Sequence, residues 1–262
     1  MLDVVDLNIE IHDHLIPETV VYDFDLHMEP GEIVGLVGES GSGKSMSALA
    51  IAGLLSRKDM KKRGHIGFMG KDLLSCSREE LRKLQGNEIG IVFQEPMNSL
   101  DPLKRVGYQV EEALKIHTDL SDEACREKAF DMLKAVELHD TERIYKSYPH
   151  ELSGGQCQRV MLAAALICEP KLLIADEITT ALDVTVQASI LELLKKINRE
   201  KGVAILFISH DLYVIRKICR RVLVMQKGRV VEEGETEQVF SNPQTGYTKE
   251  LLSCIPKIEK IK

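Results

Sequence analysis

Residues 38–45, Gly38, Glu39, Ser40, Gly41, Ser42, Gly43, Lys44 and Ser45, have the types and spacing of an anion cradle. Glycines let the backbone turn its N–H groups toward a charged ligand. Lys44 brings a cation for the β- and γ-phosphates of a nucleotide, and the Ser45 hydroxyl is an oxygen ligand for Mg²⁺. An apolar run at 32–37 precedes the loop and an amphipathic stretch at 46–55 follows it. The spacing therefore predicts a buried strand handing over to a helix whose N-terminus faces the anion. A second acidic centre lies far along the chain: Leu172-Leu173-Ile174-Ala175 reads as a buried strand and ends in Asp176-Glu177. Asp176 is placed to hold Mg²⁺ where parallel strands end, and Glu177 to polarise an attacking water. A third constellation, Ser153-Gly154-Gly155-Gln156, opens a helical stretch at 157–168 and leaves backbone N–H groups at a helix start, again a phosphate-binding arrangement.

These groups need a scaffold, and hydrophobic periodicity supplies one. Val20, Tyr22, Phe24, Leu26 and Met28 alternate with polar neighbours, which predicts a half-buried strand with those five side chains on one side. Pro30-Gly31 turns the chain into the strand before the phosphate loop. Stretches 64–68 and 89–93 read as short strands. The middle third is helical: 106–117 carries Val106, Val110 and Leu114 on one stripe, and 121–136 carries Ala129, Met132, Leu133 and Val136. Ser121-Asp122-Glu123 puts a cap and two acids at the start of the second helix. Strand–helix alternation then resumes, with strands at 172–175 and 203–208, helices at 184–199 and 212–219, and further strands at 222–225 and 229–233. Such alternation implies parallel strands covered by helices.

Composition sets outer bounds. The chain has 262 residues, 44 % hydrophobic and 29 % charged, enough for a full core or a core with an inserted subdomain. A net charge of −7 argues against a nucleic-acid-coating surface, so no nucleic-acid partner is expected. The longest apolar stretch, 160–168, is far short of the roughly 18 residues of a membrane span, and the N-terminus lacks the pattern of a signal peptide. Cys76, Cys125, Cys157, Cys168, Cys219 and Cys254 form no C-x-x-C pair and read as reduced structural thiols.

Leu152-Ser153-Gly154-Gly155-Gln156, with Gln158-Arg159 just after it, resembles the signature sequence of the ATP-binding-cassette (ABC) ATPases. Other motifs of that family follow in order over residues 2–240. Gln94 resembles the Q-loop glutamine that touches Mg²⁺ and the attacking water, Asp183 at the end of Thr180-Ala181-Leu182-Asp183 the D-loop that communicates across a dimer, and His210 the switch histidine on the γ-phosphate. The resemblance implies an α/β fold: a P-loop NTPase core with an N-terminal antiparallel β subdomain and an inserted α-helical subdomain. Residues 1–240 would form the ATP-binding domain, with the helical insertion at about 96–158 and a short tail at 241–262.

It further implies ATP and Mg²⁺ as cofactors, with Ser45, Gln94 and Asp176 on the metal and Glu177, His210 and Gln94 as catalytic residues. Two cassettes would face each other head to tail, so that Ser153, Gly154, Gly155 and Gln156 of one close over ATP held by the other. Two departures from the family pattern stand out. Ile178 occupies the place where proline usually follows the catalytic glutamate. No aromatic residue lies near 14–16, where the family stacks adenine; His14 is the flat ring closest to that position.

Residues 93–109, 179–187 and the tail 242–252 look like the peptide/nickel importer branch, with Gly246 where that branch often has histidine. Ending at Lys262 is more typical of its nickel or metal-chelate members. This implies a peripheral subunit on the cytoplasmic face of the inner membrane, paired with a second ATPase subunit, of another chain or its own kind. Two integral permease subunits and, indirectly, an extracellular solute-binding protein complete the set. A soluble cassette ATPase of translation or DNA repair is the alternative, and a degenerate, non-hydrolysing cassette a third reading.

Overall fold

The computed structural model describes residues 1–12, 17–55, 59–180 and 183–254. They divide into two compact units, one of residues 1–74 with the described chain from 206 onward, the other of residues 75–205.

The first unit begins with β1 (Leu2–Ile11) and β2 (Glu18–Met28), then β3 (Ile33–Val37), α1 (Lys44–Ile51), β4 (Met60–Phe68) and β5 (Lys71–Asp72). β1 pairs antiparallel with β2 on one side and β4 on the other, giving a sheet in the order β2-β1-β4-β5. Phe24, Leu26 and Met28 are buried as the alternation predicts. Val20 and Tyr22 are not on that side: Val21 is buried in their place. The cause is a bulge. Asp6 and Asp23 adopt left-handed φ values of 49° and 44°, and the β1–β2 register shifts between Val4 and Leu7 and again between Leu7 and Ile9, where β2 takes one residue more than β1. Cross-strand side chains hold it, since Asp25 Oδ1 accepts from Asp6 N at 2.8 Å and Asn8 Oδ1 from Asp23 N at 3.2 Å. A slip of one residue exchanges the faces of a strand. It leaves Tyr22 half-buried, with the Arg229 guanidinium 4.5 Å from its ring centroid.

The second unit contains α2 (Arg78–Leu84), β6 (Ile89–Val92), α3 (Pro96–Ser99), α4 (Val106–His117), α5 (Asp122–Ala135), α6 (Thr141–Lys146), α7 (Gly154–Leu166), β7 (Leu172–Asp176) and α8 (Val184–Lys201). The predicted helical stripes are the buried ones, and Ser121 caps α5 by accepting from Ala124 N at 3.2 Å. α4 packs so closely on α6 that a Cβ at Gly107 would meet the Tyr145 ring at 2.2 Å. The Tyr145 hydroxyl donates to the buried Glu111, whose other oxygen lies 2.9 Å from Lys115 Nζ. That carboxylate is thus satisfied twice within the helical layer, as burial of a charge requires. β6 and β7 are parallel, in register from Ile89↔Leu172 to Val92↔Ala175.

β8 (Ala204–Ser209) leads back into the first unit, followed by α9 (Leu212–Ile218), β9 (Arg221–Gln226), β10 (Arg229–Glu235), α10 (Thr236–Ser241) and α11 (Gly246–Ser253). β9 runs parallel to β3 and antiparallel to β10. Arg221, at the start of β9, ties these strands together. Its guanidinium forks onto Glu32 at 2.9 and 3.2 Å and also donates to Glu233 and to the His27 carbonyl. Burial pushes the Glu32 carboxyl up, but hydrogen bonds from Arg221 and the Glu29 N–H, with the guanidinium charge, hold it below the ordinary value of 4.5.

Arg221→Ala is therefore expected to lower the free energy of unfolding by about 2 kcal/mol at neutral pH, the worth of charge-assisted bonds at a half-buried site. A depressed carboxyl contributes stability that is full above its unfolded-state value and is lost as pH falls through the folded-state value. The gap between wild type and variant should thus narrow on acidification below the ordinary 4.5. Urea denaturation at neutral pH and at about pH 3 checks both the size and the sign.

Candidate nucleotide site

The phosphate loop leaves β3, whose five residues are all buried, and enters α1 through Gly43. That residue sits at the N-cap with φ 104° and ψ −3°, and no side chain caps the helix. The first-turn N–H groups of α1 therefore have no side-chain acceptor from the cap position, which suits an anion. Gly38 has a different necessity: a Cβ there would stand 2.1 Å from the Met225 carbonyl oxygen of β9. Lys44 is 3 % exposed, and its ammonium donates to the Gly38 and Glu39 carbonyls, both at 2.8 Å. The outer side of the loop is held by Gly228 N on the Ser42 carbonyl (3.0 Å) and by Glu39 N donating to the Tyr247 hydroxyl (3.1 Å). Ser42 Oγ is buried with no hydrogen-bond partner among the described residues. Open N–H groups, a buried cation and an orphaned hydroxyl fit a polyphosphate.

His210 belongs to the same unit. It is exposed in the segment between β8 and α9. Its neighbours fix the turn: Asp211 N donates to Ser209 Oγ at 3.0 Å, and Asp211 Oδ1 caps α9 by accepting from Tyr213 N at 2.8 Å.

Gln94, Asp176, Glu177, Asp183 and residues 153–156 lie in the other unit. Because Val92 is level with Ala175, Gln94 and the Asp176-Glu177 pair emerge at the same ends of adjacent parallel strands. Ligands of open α/β sheets collect at such ends. Asp176 is 9 % exposed, while Gln94 is exposed. Glu177 has a left-handed φ of 49°. Its carbonyl accepts from Thr180 N at 3.1 Å and its carboxylate from Thr180 Oγ1 at 3.4 Å. Ile178 is fully buried, so the turn is anchored by packing where proline would have fixed φ. The carboxylate, amide and hydroxyl oxygens of Asp176, Gln94 and Ser45 are hard donors of the kind Mg²⁺ takes.

Ser153 caps α7 in a reciprocal box: its Oγ accepts from Gln156 N at 3.3 Å, and Gln156 Oε1 accepts from Ser153 N at 3.0 Å. Gly154 is exposed, with nothing near the position of a Cβ. Gly155 packs on α8, where a Cβ would meet Val186 Cγ1 at 2.9 Å. The start of α7 thus adjoins that of α8, which Asp183 caps by accepting from Thr185 N and Val186 N at 3.0 and 2.9 Å. Ala181 and Leu182 of the predicted D-loop, and the adenine-stacking position at 14–16, lie outside the described residues.

Two residues that bear on the site have no role assigned to them from sequence, although Arg159 is quoted with the signature and Tyr247 falls in the tail that resembles the importer branch. Arg159, one turn into α7, donates to the Val136 carbonyl at 2.6 Å and to Ser189 Oγ of α8 at 2.6 Å, locking the helix behind residues 153–156. Its place just after the signature was the available hint. Tyr247 lies in the tail 242–252 whose sequence resembles the importer branch, and no local signal points to the loop it reaches.

The ABC transporter family model matches residues 21–180. The chain is 45 % identical over 263 residues to the oligopeptide transport ATP-binding protein OppD of Escherichia coli K12, covering 99 % of this chain and 77 % of that one. It is 48 % identical over 260 residues to the peptidoglycan transport ATP-binding protein YejF of Agrobacterium fabrum; that match takes in 99 % of this chain but spans only 48 % of the relative. Among solved structures, the dimeric post-hydrolysis state of the ATP-binding cassette MJ0796 bound to ADP and Pi aligns with TM-score 0.81 and 31 % identity, over 90 % of this chain and 99 % of that one. The chain belongs to the ABC transporter family, as one of its ATP-binding cassettes, an ATPase of the mixed α/β P-loop fold.

Gly38→Ala tests the loop geometry. The added methyl would force β9 and the loop apart, so the variant is expected to fold but to lose the upward shift in melting temperature that saturating MgADP gives the wild type. A thermal melt with and without nucleotide reads this directly; an undiminished shift would contradict the packing described.

Proposed function

We propose that the chain is the energy-coupling subunit of a peptide importer. It would hydrolyse ATP in a head-to-tail dimer of cassettes seated on integral permease subunits at the cytoplasmic face of the membrane. The observation that carries this reading is the pairing of two complementary half-sites in one chain. One is the uncapped α1 N-terminus with its buried Lys44; the other is the exposed, capped start of α7 at Ser153 and Gly154. Relatives named for oligopeptide and peptide transport favour peptides over the nickel or metal-chelate cargo that the sequence left open. No described helix is long and apolar enough to cross a membrane; in this reading the solute passes through the permease subunits. An extracellular solute-binding protein would act only through those permeases.

In this reading Lys44 and the loop N–H groups bind the β- and γ-phosphates. Ser45, Gln94 and Asp176 would hold Mg²⁺, which when bound neutralises charge on the transferring phosphoryl group. Glu177 accepts the proton of the attacking water, Gln94 helps orient that water, and His210 donates to the γ-phosphate. Ser153, Gly154, Gly155 and Gln156 close over the nucleotide of the opposite cassette, and Asp183 passes the state of one site to the other. ATP would thus close the dimer and its hydrolysis reopen it, a shift between two states driven by their difference in affinity for the ligand.

Glu177→Gln separates binding from chemistry. The variant should bind ATP and elute as a stable dimer in size-exclusion chromatography with light scattering, with hydrolysis reduced by about two orders of magnitude or more. Wild-type turnover by the variant would remove Glu177 from its role. Solubilised membranes should yield the chain together with two integral membrane proteins. Recovery wholly in the soluble fraction, bound to ribosomes or DNA, would overturn the importer reading.

A further inference from the structure

The segment after β10 makes one contact that its sequence does not advertise. Tyr247, in the first turn of α11, is 8 % exposed, and its hydroxyl oxygen lies 3.1 Å from the backbone nitrogen of Glu39 inside the phosphate loop. The N–H of Glu39 and the carbonyl of Gly38 belong to a single peptide group. The carbonyl is held by Lys44 Nζ at 2.8 Å, so this peptide plane is gripped at both ends. One grip is the residue that serves the phosphates; the other is a phenol 208 positions beyond Glu39.

The seat of α11 is built to keep that phenol in place. Glu232, on β10, accepts from Gln244 N at 2.8 Å, Thr245 N at 3.0 Å and Thr245 Oγ1 at 3.1 Å. Thr245 in turn caps α11, accepting from Thr248 N at 3.2 Å. Burial pushes the Glu232 carboxyl up, but the hydrogen bonds it receives outweigh that and hold it below its ordinary value, so it stays an acceptor. Burial also pushes the Tyr247 phenol up, so it is a neutral hydroxyl at physiological pH.

A peptide plane free to rotate would present its carbonyl to the phosphates as readily as its N–H. A carbonyl there repels phosphate. Fixing the 38–39 plane with its carbonyl on Lys44 and its N–H turned to Tyr247 removes that alternative before the ligand arrives. This is preorganisation, and it acts through affinity.

We propose that Tyr247 is a positioning residue for nucleotide binding: α11 straps the phosphate loop through the Tyr247–Glu39 hydrogen bond and sets the loop's affinity for nucleotide. The proposal rests on residues 38–45 being the nucleotide site. The test uses the full chain and three proteins, wild type, Tyr247→Phe and Glu232→Gln, with fluorescently labelled MgADP as the probe. Phenylalanine keeps the packing and removes only the acceptor. Its nucleotide affinity should fall about fivefold, the worth of one neutral hydrogen bond, and hydrogen exchange at the Glu39 amide should speed up roughly tenfold. Glu232→Gln leaves the phenol present but loosens its seat, and should shift both readouts the same way by less. Wild-type affinity in Tyr247→Phe, or an unchanged Glu39 exchange rate, would overturn the strap. So would a larger loss from Glu232→Gln than from Tyr247→Phe, because the contact would then lie elsewhere in α11. Absence of MgADP binding by the wild type would sink the nucleotide assignment of the loop itself, and the strap with it.

Discussion

A buried ammonium organises the phosphate loop. Lys44 is nearly inaccessible, and a lysine taken out of water must have its charge answered by acceptors at close range. The acceptors are the carbonyls of Gly38 and Glu39, which can reach Nζ only if the chain between them and Lys44 curls back on itself. That curl explains the glycines: left-handed φ at Gly41 and Gly43, and a Gly38 backbone that passes against the Met225 carbonyl where no Cβ fits. It also explains why the chain outside the loop is so closely engaged. Gly228 and Tyr247 hydrogen-bond to the loop from elements distant in sequence, and Val20 and Met225 fill the space where a Cβ would stand at Gly43. Without them the curl would have to be held by eight residues, three of which are glycines with the most conformational entropy to lose.

The other unit solves a different problem, that of presenting oxygens and N–H groups at the ends of regular elements without leaving those ends disordered. β6 and β7 are short, parallel and buried except at Ile91, so their carboxyl ends are held by the core. α7 begins with side-chain oxygens that accept from the donors near its cap, while Gly154 between them stays bare and Gly155 packs on α8. Ser153 and Gln156 thus satisfy one another, and Arg159 braces the helix from behind by reaching both the end of α5 and α8. The capping box is what makes an exposed glycine at 154 compatible with a fixed helix start.

Those local devices explain what could be read in the sequence. The loop, the capping serine at 153, the acids closing β7 and the stripe of α4 each depend on residues within a few positions of one another, where periodicity and capping rules operate. The observed α4 has the same ends as its predicted counterpart. What sequence hid depends on partners far away. The β1–β2 bulge arises from Asp6, Asn8, Asp23 and Asp25 answering each other across two strands, so a simple alternation placed Val20 and Tyr22 on the wrong face. α11 is capped by a threonine whose own anchor is Glu232 on another strand, and its tyrosine finds the loop only in three dimensions. α2 went unread for another reason: its Ser77–Glu80 capping box was visible, but it buries only Leu84 and shows no apolar stripe.

The isoleucine at 178 shows how one constraint can replace another. Proline at that position would restrict the turn through its ring, by fixing its own φ and narrowing the choices of the residue before it. Here the residue before it, Glu177, holds a left-handed conformation that costs a non-glycine residue on the order of 1–3 kcal/mol. Such a conformation persists only if the surroundings impose it. Ile178 is wholly buried and Thr179 nearly so, which fixes the chain beyond the glutamate by packing, and Thr180 closes the turn with a hydrogen bond from its amide to the Glu177 carbonyl. Burial of the β-branched Ile178 restrains the chain by close packing, where a ring would restrain it covalently. The departure from the family pattern therefore changes where the rigidity comes from, and the carboxylate still emerges from a fixed turn at the end of β7.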